Sequence, residues 1–78
     1  MDDIKKQIDA LTAMIEQAGP TADLHYRRGK LYWRLGRRAA AITDFNEAVA
    51  LDPVSPAAAY IAMTGDIMDF YNTDLYNP

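Results

Sequence analysis

The chain has no cysteine and a single histidine, His25. These absences exclude a disulfide framework and a thiolate metal site, and one imidazole cannot build a zinc centre unaided. No apolar run approaches the ~20 residues of a membrane-spanning helix. The opening Met-Asp-Asp-Ile-Lys-Lys carries charge where a secretory signal has its apolar core, so a cytoplasmic location is expected. Positive charge is absent from the whole stretch after Arg38, whereas six of the eight basic residues fall between Arg27 and Arg38. Beyond Arg38 the charged residues are all acidic: Asp44, Glu47, Asp52, Asp66, Asp69 and Asp74. Such polarity steers partners or joins one molecule to another and says little about fold.

Catalytic vocabulary is equally sparse. There is no nucleophile motif, no phosphate-binding glycine loop and no carboxylate pair forced together by spacing, so neither an enzyme nor a cofactor is expected. Asp44 and Glu47 lie three apart on one helix face; with no His or Cys beside them they are expected on a solvated face. His25 is expected to pack structurally.

What the chain does have is apolar material, half of its 78 residues, enough to fold but only around a thin core. Ile4, Ile8, Leu11 and Ile15 form the stripe of an amphipathic helix from Asp2 to about Ala18, closed by Gly19-Pro20. Thr21 or Asp23 can cap a second helix from about Thr21 to Leu35, with His25, Gly29, Tyr32 and Leu35 on one face. Glycine inside a helix costs about 1 kcal/mol against alanine, and close approach of a neighbouring helix supplies the reason for Gly29. Gly36 ends that helix. A third is expected from about Arg38 to Leu51 and is closed by Asp52-Pro53. Ser55 as cap and Pro56 in the first helical position open a fourth, to about Tyr71, leaving 72–78 as a tail.

From Ala22 to Ser55 these residues resemble a tetratricopeptide repeat, a 34-residue helix-turn-helix unit. Gly29 is similar to the family's glycine at the helix contact, and Tyr32 to the aromatic three residues on. Ala41, Phe45 and Ala48 resemble the Ala-x-x-x-Phe-x-x-Ala run of the second helix, Leu51-Asp52-Pro53 its closing proline, and Gly36 the hairpin glycine. His25 stands where the family often has Trp and Arg28 where it usually has Leu, so the first helix is expected to pack on its predecessor more loosely or through polar contacts. The first segment resembles the second helix of a degenerate preceding repeat, with Leu11 and Met14 near the Phe and Ala slots. The fourth falls where the next repeat's first helix belongs.

The resemblance implies an all-α antiparallel helical hairpin array of about four helices, a single domain over 1–71 with a 72–78 tail. It implies a non-catalytic module that binds a peptide or partner protein, or a second copy of itself, through a groove lined by the first helices of successive repeats. Asp23, Tyr26, Arg27, Lys30, Trp33 and Arg34 are then the outward residues of the second helix. Arg27, Lys30 and Arg34 can hold an acidic or carboxylate-bearing segment with Trp33 as apolar anchor; the alternative is a solvated charged face with Trp33 packed on its neighbour. The family's carboxylate clamp, which spreads Lys and Asn over several repeats, is not present. On the fourth helix Tyr60, Ile61, Thr64, Ile67, Met68 and Tyr71, with Ala57, form an apolar groove-side stripe that the tail through Leu75 and Tyr76, a second copy or a client would cover. Nucleic-acid binding through the Arg27 to Arg38 cluster, with Tyr26 and Trp33 stacking on bases, is the alternative class, opposed by a pI near 4.8.

Overall fold

The computed structural model describes residues 2–63, with side chains from residue 3. The fourth segment beyond 63, the boundary at 71 and the 72–78 tail lie outside the described residues. Three helices follow in order: α1 (Asp2–Ala18), α2 (Ala22–Arg34) and α3 (Arg38–Leu51). A further helical stretch, α4, runs over 57–63, and no strand occurs among the described residues. The architecture is all-α, an antiparallel hairpin array in which α2 packs against both α1 and α3.

Each boundary has a local cause. Gly19 takes a left-handed φ of 97° and its N–H closes on the Ile15 carbonyl. Thr21 then caps α2 by accepting the Leu24 N–H at 3.1 Å. Gly36, at φ 81°, ends α2 in a Schellman arrangement: its own N–H reaches the Trp33 carbonyl and the Arg37 N–H reaches that of Tyr32. Asp52, extended ahead of Pro53, stops α3, and its side chain accepts the Val54 N–H. Ser55 accepts the Ala57 N–H at 3.1 Å, and Pro56 follows the cap where a missing donor costs nothing.

The core between α2 and α3 is built on Ala41, Phe45 and Ala48, joined by Ala57, all with no exposed surface. Phe45 lies so close to α2 that a Cβ at Gly29 would meet its ring carbons at 2.6 and 2.8 Å. The bare backbone at Gly29 is therefore what lets the two helices approach. Leu24 and Leu31, buried on the flank of α2 away from Gly29, complete the α1 side with Ile8.

Asp44 departs from the expectation of a solvated face: it is 2% exposed. It occupies the α2-facing side of α3 between Ala41 and Phe45, where the Arg28 guanidinium balances its charge and His25 is hydrogen-bonded to it. Arg28 grips its carboxylate with two donors, Nε to Oδ2 and Nη2 to Oδ1, both at 2.8 Å, while His25 Nδ1 donates to Oδ1 at 2.9 Å. The third arm of Arg28, Nη1, donates to Thr12 Oγ1 on α1 at 3.0 Å. The hydrogen bonds to Asp44 hold the Arg28 guanidinium above its ordinary pKa, outweighing the opposing effect of burial. The expected polar packing on the preceding element is thus a three-helix network.

Two outcomes follow. Gly29→Ala gains helix propensity of about 1 kcal/mol yet forces Phe45 to move, so a net loss of about 1–2 kcal/mol is expected in urea unfolding. Arg28→Leu strands a buried carboxylate and is expected to cost about 3–5 kcal/mol, whereas Arg28→Leu with Asp44→Ala recovers most of that loss. A double variant as unstable as the single one would contradict this account.

Candidate functional site

Phe45 carries an aromatic cluster outward from the core. Tyr60 of α4 stacks on it with ring centroids 4.7 Å apart, Tyr26 of α2 tilts against it at 6.3 Å, and Trp33 meets the Tyr60 ring edge-on at 6.4 Å. Tyr26 and Trp33 are consequently half-buried rather than free on an outer face. Their exposed sides are not bare either. The Lys30 ammonium stands 4.6 Å from the Tyr26 centroid and the Arg38 guanidinium 5.3 Å from that of Trp33, distances at which a cation is attracted by the ring face.

Between this cluster and α1 lies an open cleft of about 890 Å³. Leu31, Trp33 and Tyr60 form its apolar part on the α2 and α4 side, and Arg27, Lys30 and Arg34 bring three cations to it. The α1 wall consists of Gln7, Ala10 and Leu11. Arg27 is paired with Asp23 at 2.9 Å, both well exposed, an i,i+4 pair that contributes little to stability. Arg34 makes no ion pair among the described residues. The cleft is therefore amphipathic, with aromatic and aliphatic surface beside positive charge. It suits an apolar segment bearing carboxylates.

Of the residues singled out from sequence, Arg27, Lys30, Trp33, Arg34 and Tyr60 come together here. Asp23 and Tyr26 stand beside the cleft without lining it, and Ile61 packs partly buried against the core. Thr64, Ile67, Met68 and Tyr71 lie outside the described residues. The α1 wall was not singled out. The signal for it was present in the match of Leu11 to the Phe slot of a preceding repeat, because that slot faces the groove-forming helix of its own repeat.

No group of three or more metal-ligating side chains occurs among the described residues, and none of their helices is long and apolar enough to cross a membrane. No solved structure gives a significant match to the chain. The family model of the tetratricopeptide repeat matches residues 22–53, the stretch that sets Gly29 of α2 against Phe45 of α3, and the helical hairpin there is consistent with one such repeat.

Proposed function

We propose that the chain is a non-catalytic interaction module that holds a peptide or partner protein through the groove-side faces of α2 and α4. Tetratricopeptide repeats generally mediate protein–protein interaction, which supports the class of function. The observation that carries the specific reading is the cleft itself: Trp33 and Tyr60 supply rigid aromatic surface, and Arg27, Lys30 and Arg34 supply charge beside it. Such a surface selects an acidic, partly apolar segment. The aromatic anchors gain from burial, and the cations discriminate by attraction and set the encounter rate.

Trp33 is the chain's sole tryptophan, so its emission reports occupancy directly. A synthetic peptide of alternating Glu and Leu is expected to shift that emission saturably, and Lys30→Glu with Arg34→Glu to weaken the binding at least tenfold, about 1.4 kcal/mol. A single-stranded oligonucleotide is expected to give no saturable response. Tight oligonucleotide binding with a steep decline in added salt would replace the peptide reading with a nucleic-acid one.

A further inference from the structure

The internal period of the repeat relates the α1 wall of the cleft to the buried side of α3. On α3, Ala41, Asp44, Phe45 and Ala48 are closed off by α2. One period of about 34 residues earlier, α1 carries Gln7, Ala10, Leu11 and Met14. Leu11 is only partly covered, and Gln7, Ala10 and Met14 are exposed, Met14 by 49%. The cleft opens over the first three of these residues. Among the described residues no helix covers on α1 the face that α3 closes with its own partner helix, and the cleft over that face is a seat for one.

The charge of that seat narrows its occupant. At the other junction of α2, α4 contributes Ala57, Tyr60 and Ile61 to the core and its periphery. The residues one period earlier are Asp23, Tyr26 and Arg27, so two apolar places have become an exposed ion pair. With Lys30 and Arg34 alongside, the seat is cationic where the corresponding junction is apolar. It fits a dissociable acidic segment better than a permanent apolar one.

We propose that the occupant is residues 64–78 of a second copy, so that molecules associate head to tail. This rests on the groove reading above and names its partner. The stretch carries Asp66, Asp69 and Asp74 and no cation, together with apolar Ile67, Met68, Phe70 and Leu75. It complements the seat in both charge and hydrophobicity. Direction favours a second molecule over the same one. Helices alternate along a hairpin array, so α4 runs with α2, and so does any helix completing the α1 pair. A segment that follows α4 in sequence starts at the end of the array where a helix of that sense finishes, whereas a second copy can enter from the other end. The contact is heterologous, each molecule offering one seat and one acidic stretch.

A charge exchange tests this on the full chain. Light scattering of the native protein is expected to give a mass that rises with concentration and falls with added salt. Lys30→Glu with Arg34→Glu makes both surfaces acidic, and Asp66→Lys with Asp69→Lys makes both basic. Each variant, checked for retained helicity, is expected to lose association at least tenfold, and an equimolar mixture of the two to regain it. A native chain that stays monomeric throughout overturns the proposal. If Trp33 of that monomer still answers the Glu and Leu peptide, self-association alone is lost; if it does not, the groove reading falls too. Should the Asp66→Lys, Asp69→Lys variant of a monomeric protein bind that peptide more tightly, the stretch occupies its own chain's seat, which also overturns the second-copy assignment. So does a mixture that fails to associate.

Discussion

The ring of Phe45 against the bare Cα of Gly29 is the contact on which the rest depends. It sets how near α3 lies to α2, and the flanking Ala41 and Ala48 keep their helix thin enough to hold that distance. Because Phe45 is also the platform for Tyr60 and Tyr26, the same contact orders the aromatic cluster that borders the cleft. Packing deep between two helices thereby fixes the geometry of a surface some distance from it.

Much of this was legible because it is written in local chemistry. Gly19, Thr21, Gly36, Asp52-Pro53 and Ser55-Pro56 each set a boundary by backbone geometry or capping, which depends only on near neighbours. Gly29, Tyr32, Ala41, Phe45 and Ala48 were readable from their spacing. Asp44 was not, because three residues from Glu47 on a helix it looks like any solvated acid; its burial depends on partners 16 and 19 residues away. The clue was the pair of departures at His25 and Arg28. Polar replacements of large apolar residues on one helix imply a charged counterpart on the helix they face. Tyr26 and Trp33 were harder still, since helix periodicity gives direction but not what α4 lays against it.

The Arg28, His25, Asp44 and Thr12 network connects α1, α2 and α3 where an apolar contact would serve for two. A buried ion pair of this kind contributes direction more than net stability, because desolvation of both charges offsets much of their attraction. Its value here is orientation. The planar guanidinium fixes α1 relative to the repeat by donating simultaneously across the α2–α3 and α1–α2 contacts, so the α1 wall stands at a defined angle to Trp33.

Tyr60 lies outside the stretch that the family model matches, yet it covers Phe45, the largest apolar side chain inside that stretch to be fully buried. The limits of the repeated unit and the limits of what can fold independently are therefore different. Excision at the repeat's borders would uncover the ring at its centre, and an isolated 22–53 fragment would be prone to aggregate. For a scaffold of this size, modularity is a property of the helix pair together with the first turns of its neighbour.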